Sequence, residues 1–311
     1  MGQTVSDQDF AEYLESIRRF TDEKLIPAER RVEDEEAVPE EIVDEMRRLG
    51  LFGMTIPEDY GGLGLSIEQQ CLATMEFTRA SCVYRARFST TLGLSSQAIL
   101  YNGTDDQKRE WLLRMASGEA TASFALTEPE AGSDAGALKT KAVPDGNGYV
   151  ISGQKCFITN AIDADVFIVM ARTDPETDDA KGISAFIVPA STPGIEVAPP
   201  DRKLGNHGSP TSQIFFDDCR VDGSTLLGGE VGQGFKNAMA GINSARMHVA
   251  STCVSQATRL IEMSLAYAME RKQFGQAIAE FQAIQHMLAD SHAETLAARS
   301  MTLETARKPF S

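Results

Sequence analysis

The stretch Phe124–Ala135, FALTEPEAGSDA, gathers groups that hold anions rather than groups that attack bonds. Thr127 and Ser133 bring hydroxyls, and Gly132 lets a ligand approach the backbone with no Cβ in the way. Consecutive N–H groups in such a turn form a concave nest for negative charge. A second block, Ser152–Asn160 (SGQKCFITN), adds the flat ring of Phe157 and the hydroxyl of Thr159. Together the two blocks suit a ligand with a charged portion and a flat, apolar-faced ring. Taken singly they have plainer readings, EPEAGSD as a β-turn and Phe157 as an ordinary strand aromatic. The other reactive side chains point to less. Five cysteines, at 71, 82, 156, 219 and 253, form no C-x-x-C pair, and an odd count argues against a disulfide framework. Four histidines, at 207, 248, 286 and 292, show no H-E-x-x-H, so no metal site is expected. Gly229, Gly232 and Gly234 lack the preceding strand of a dinucleotide fingerprint and read as a helix-entry loop, which disfavours nicotinamide binding.

These residues need a scaffold, and the chain supplies two kinds. Residues 1–118 read as helical. Phe10, Leu14 and Ile17 share one helix face. Pro39 opens a helix, and Ser66 with Gln69 and Thr104 with Gln107 form capping-box patterns. Between them Pro57–Gly64 (PEDYGGLG) is a loop. From 119 the period shortens. Tyr149–Ile151, Cys156–Thr159, Val166–Met170, Ile183–Val188 and Gln213–Phe216 read as strands, and Asp145-Gly146-Asn147-Gly148 as a turn joining the first of these to a preceding run. An antiparallel barrel or sandwich of about 100 residues follows. From Gly234 the helical period returns, breaks at Arg271–Gly275, resumes near Glu280 with Phe281, Ile284 and Leu288 on one face, and ends within KPFS. The expected architecture is α+β and multidomain: a helical domain at 1–118, a middle β domain at 119–226, and a helical bundle at 227–311, incomplete at its C-terminal end. The helix–sheet–helix order excludes a doubly wound dinucleotide fold.

The two blocks, with ERKQFG (Glu270–Gly275), Gln282 and PEDYGGLG, resemble the signatures of the acyl-CoA dehydrogenase family, in matching order and spacing across nearly the whole chain. The resemblance implies an FAD enzyme. It places Phe124, Leu126, Thr127, Phe157 and Thr159 at the flavin ring and Gly132 and Ser133 at the pyrophosphate. It gives Arg271, Gln273, Phe274 and Gln282 to the neighbouring subunit's FAD, and Ser133, Asn243 and Arg246 to the CoA substrate. FAD would be held without covalent attachment, and the chain would form a homodimer or homotetramer.

The implied reaction is α,β-dehydrogenation of an acyl-CoA thioester within acyl-CoA metabolism. A carboxylate removes the α-proton, the β-hydride goes to the flavin, and electrons pass on to an electron-transferring flavoprotein. In most of the family the glutamate base lies in the C-terminal helical region, here beyond residue 311. A minority carry it just before the arginine matching Arg246, where this chain has Ala245. The 311-residue chain is therefore expected to turn over poorly, with Glu128 and Glu130 the first carboxylates to test if it does not. His207 reads as a loop residue near the ligand mouth and His248 as a satisfied core histidine. Two other readings stand beside this one: a flavin-binding or structural relative made inert by loss of the base, and an oxygen-using acyl-CoA oxidase.

Bulk properties agree with a globular enzyme. Of 311 residues, 42% are hydrophobic and 24% charged, which excludes a wholly disordered chain. A net charge of −16 repels phosphate backbones, so nucleic acid is not an expected partner. No apolar run reaches the roughly 18–20 residues that span a bilayer, and MGQTVSDQDF has no secretory h-region, so no membrane association and a cytoplasmic location are expected.

Overall fold

In the computed structural model the described residues are 5–177 and 179–308, the side chains of Ala240 and Ser244 apart. Pro309, Phe310 and Ser311, where the last helix was expected to end, lie outside them. The chain forms two compact units. One comprises Arg30–Leu65 and Val83–Ala245; the other comprises Ser6–Glu29, Ser66–Cys82 and the described residues from Arg246 onward.

In the first unit the sheet strands are β1 (Ala122–Ala125), β2 (Lys141–Asp145), β3 (Gly148–Thr159), β4 (Val166–Arg172), β5 (Ile183–Pro189), β6 (Ile195–Val197) and β7 (Thr211–Asp222). Hydrogen bonding runs in the order β1-β4-β2-β3-β7-β6, with β5 also on β4. Most pairs are antiparallel, as expected, but β1 and β2 both pair with β4 in parallel, so the sheet is mixed. The parallel pairing brings Phe124 beside Ile168 and links Lys141 to Arg172. Sequence-distant neighbours of this kind leave no local pattern. The Gly146-Asn147 turn between β2 and β3 is where the sequence puts it, with Asp145 opposite Gly148.

Strand β4 shows why the sheet holds. Successive side chains point to opposite faces. Val166, Ile168 and Met170 enter one core with Trp111, Leu112 and Met115. Phe167, Val169 and Ala171 enter another with Ile151, Ile158, Ile214 and Phe216. Buried on both sides, β4 carries no alternation of polar residues, and its sequence VFIVMA reads as one apolar run.

The second unit holds α1 (Asp7–Phe20) and α3 (Ile67–Phe77); helices of the first unit include α2 (Glu40–Arg48) and α4 (Asp105–Ala116). Both capping boxes form: Ser66 and Gln69 close the start of α3, Thr104 and Gln107 the start of α4. The loop at 57–64 contains a single 3₁₀ turn, Glu58–Tyr60. The long helix Gly234–Glu270 starts in the first unit and continues into the second. A two-stranded hairpin at Lys272–Ala277 replaces the expected break, and a last helix, Gln282–Ala306, follows. Among the described residues no helix is long and apolar enough to cross a membrane, and no group of metal-ligating side chains assembles.

Candidate functional site

The first unit brings the two anion-and-ring blocks together. β1 leads directly into Leu126 and Thr127, and β3 runs alongside. The Cys156 N–H donates to the Thr127 carbonyl at 2.9 Å, and Ser123 Oγ donates to the Thr159 carbonyl at 2.8 Å. Phe124, Leu126, Thr127 and Thr159 are half-buried, and Gly132 and Ser133 are exposed. A Cβ added at Gly132 would meet no atom within 4 Å, so the turn faces open space.

Phe157 is the unusual residue. The register of β3 against β7 shifts between Lys155 and Ile158, a bulge. There Phe157 takes φ 57°, a left-handed conformation costly for a bulky side chain, and its ring is 69% exposed. A strand aromatic facing a core would be buried; this one is turned out beside Thr127 and Thr159.

The loop between Thr127 and Thr140 is pinned from beneath by a pair of charges. Lys155 is 0% exposed, and its Nζ donates to Glu128 Oε1 at 2.8 Å and to the Leu126 carbonyl at 3.1 Å. Glu128 also accepts from the N–H groups of Lys139 (2.6 Å) and Thr140 (2.9 Å). Burial would raise the Glu128 carboxyl, but the Lys155 charge and these donors hold it below its ordinary value. Burial pushes the Lys155 ammonium down to about 8 against the pull of Glu128. Both groups are therefore charged at neutral pH. With both oxygens engaged, Glu128 is an anchor rather than a spare base. Glu130 is exposed and pairs with Lys139. Lys155 lies on the same period-2 phase of β3 as buried Ile151, and an inward lysine of this kind demands a carboxylate partner. That signal was present in SGQKCFITN and is the feature the motif reading passed over.

The second unit carries the other predicted ligand residues, Asn243 of the first unit apart. Lys272–Gln273 and Gln276–Ala277 pair through the two-residue turn Phe274-Gly275, both at positive φ (51° and 83°). Phe274 is 94% exposed and meets Phe281 edge-on, with centroids 6.2 Å apart. Arg271, Gln273 and Gln282 are also exposed. On the long helix Asn243 and Arg246, three residues apart, are exposed. Half-buried Ala245 lies under Gly93, where an added Cβ would come within 3.8 Å of its own. His248 is buried, with Nε2 2.9 Å from Gln70 Oε1, a satisfied core histidine. His207 sits in its loop paired with Glu33, and that hydrogen bond raises its pKa.

Family models for the acyl-CoA dehydrogenase N-terminal, middle and C-terminal domains match residues 7–119, 123–219 and 232–309. The chain belongs to the acyl-CoA dehydrogenase family. Within that family of oxidoreductases, the probable acyl-CoA dehydrogenase YngJ of Bacillus subtilis is 41% identical over 292 residues, covering 94% of this chain and 77% of that protein. A chain in the structure of the electron transferring flavoprotein of Acidaminococcus fermentans superposes with a TM-score of 0.91 at 34% identity, covering 98% of this chain and 80% of that one. The glutaryl-CoA dehydrogenase of Mycobacterium smegmatis in complex with FADH2 gives 0.89 at 31% identity, over 97% of this chain and 76% of its own. The mixed sheet thus belongs to an acyl-CoA dehydrogenase architecture.

Proposed function

We propose that the chain binds FAD and takes part in α,β-dehydrogenation of an acyl-CoA thioester, with an electron-transferring flavoprotein as acceptor. The observation that carries this reading is Phe157, turned outward at a bulge beside Thr127 and Thr159. Its flat face and the Thr159 hydroxyl fit one face of a flavin ring and the Thr127 hydroxyl its edge, and the open turn at Gly132 and Ser133 fits a phosphate. The FADH2 complex of the M. smegmatis relative and the match to a chain from an electron transferring flavoprotein structure support the cofactor and the acceptor.

When bound, FAD supplies the two-electron acceptor. The residues of this chain would do the rest. Phe124, Leu126, Thr127, Phe157 and Thr159 would orient the ring, and Ser133 with Gly132 the pyrophosphate. Asn243 and Arg246 would hold the CoA portion, joined by Ser133. Arg271, Gln273, Phe274 and Gln282 would serve the FAD of a second copy, which makes a homodimer or homotetramer part of the proposal. The division at 118 and 226 is kept with it, supported by the spans of the three family models.

Ala245 favours a second reading, a flavin-binding relative with little or no dehydrogenase activity. Anaerobic mixing of FAD-loaded protein with a panel of acyl-CoA thioesters decides between them. The first reading expects bleaching of the flavin bands with at least one thioester, slowed by about 10²–10⁴-fold where no base is placed. Bound FAD whose bands no thioester shifts or bleaches would overturn it.

A further inference from the structure

Strand β3 carries a buried charge at Lys155, two residues before the exposed Phe157, and the proposed flavin site gives no task to it. Three sets of contacts meet at Lys155 and Glu128. Lys155 Nζ binds the Leu126 carbonyl and Glu128, and the next residue's N–H binds the Thr127 carbonyl. Glu128 in turn holds the N–H groups of Lys139 and Thr140 at the far end of the loop. Gly153, two residues before Lys155, lies so close to Thr140 that an added Cβ would stand 2.7 Å from its Cα. The pair thus ties the start and the end of the 127–140 loop to one short piece of β3. That same piece, two residues on, holds Phe157 in its left-handed conformation.

We infer that Lys155 and Glu128 act as positioning residues, fixing the Thr127 edge and the Phe157 face at the separation and angle an intercalated flat ring requires. Neither side chain is open to a ligand: Lys155 is fully buried and Glu128 nearly so. Their effect passes through backbone groups they hold. A buried, fully satisfied polar network rigidifies what it touches, and one missing member leaves the rest unpaired. Loss of either residue would let the loop and the bulge relax independently, and Phe157 has a strained backbone to relax from. Mere support of the fold makes a different demand, because it requires no particular geometry at residues 127 and 157.

The inference rests on the proposed FAD site, and its test separates the two. Full-length wild type, Lys155→Met and Glu128→Gln are stripped of flavin and checked for folding by far-UV circular dichroism at low temperature. FAD affinity is then titrated by flavin fluorescence, with the visible spectrum of the bound state recorded. Both variants are expected to bind FAD at least tenfold more weakly than wild type while folded, with altered fine structure in the visible bands. The double variant should be hardly worse than either single one, because both act through one device. If Lys155→Met does not fold, Glu128→Gln decides alone. Folded variants whose FAD affinity stays within twofold of wild type and whose spectra are unchanged would overturn the inference, even with a lowered Tm. Failure of wild type itself to take up FAD would instead sink the flavin reading.

Discussion

At the scale of single residues, side-chain type marks the site and backbone geometry makes it. Phe157 was legible as a flat face because of its position in SGQKCFITN. Its left-handed φ was not, since a bulge depends on the register of β3 against β7 and that partner is more than fifty residues away in sequence. Glu128 shows the reverse case. As a carboxylate in the candidate loop it read as a reserve base, yet three hydrogen bonds spend both its oxygens. Its folded pKa is lowered, so its contribution is fully present above the unfolded value near 4.5 and is lost as pH falls through the folded one. Melting temperature followed from pH 6 to pH 3 should therefore fall more steeply in wild type than in Glu128→Gln. At neutral pH the substitution should cost about 3–5 kcal/mol, the usual result of stranding a buried charge. A Glu128→Gln protein with an unchanged acid limb would show that the carboxylate is not ionised and paired as described.

Among elements, local signals were read well and long-range ones poorly. Capping residues write their message within four positions, and both boxes at 66–69 and 104–107 form. The turn at 145–148 was equally local. Strands β1 and β6 went unread and β2 was given only as the run before that turn, because three to five residues carry too little periodicity to stand out. The parallel placing of β1 against β4 could not be read at all, for nothing near Ala122 specifies Val166. Gln107 illustrates how an element is tied to distant chain. Beyond its cap, its Nε2 donates to the carbonyls of Ser224 and Leu226, at 2.8 and 2.9 Å, and its Oε1 accepts from the Gly228 N–H. Thr104→Ala removes a cap alone and should cost about 1 kcal/mol. Gln107→Leu leaves the buried Leu226 carbonyl and the part-buried Ser224 carbonyl unpaired as well and should cost more, about 1–3 kcal/mol for the buried group alone. Urea denaturation of the two variants checks the order; equal losses would mean that the contacts at 224–228 add nothing.

For the whole molecule, the proposed cofactor site depends on copies meeting. The outer stretch of the long helix and the helix after the hairpin expose Leu260, Met263, Tyr267, Met269, Met287, Leu296 and Met301. Exposed apolar surface of this extent is characteristic of interfaces, in agreement with the proposed homo-oligomer. Arg271 discriminates between two roles. As a cation near the C-terminal end of the long helix it interacts with the macrodipole, worth about 0.3–1 kcal/mol of stability. As a ligand to the FAD of a second copy, its replacement by alanine should weaken FAD binding by about 1.5–3 kcal/mol. Isothermal titration of Arg271→Ala with FAD, paired with sedimentation of the loaded protein, reads both. Unchanged affinity in a purely monomeric protein would remove the hairpin from the cofactor site.

The central claim is that the residues around Phe157 form a flavin site, and uptake of FAD by the purified, flavin-free chain tests it most directly. Titration followed by visible absorbance after desalting should saturate at about one FAD per chain, with Phe157→Ala binding more weakly. Protein that stays colourless after incubation with excess FAD, while folded by circular dichroism, would contradict the account.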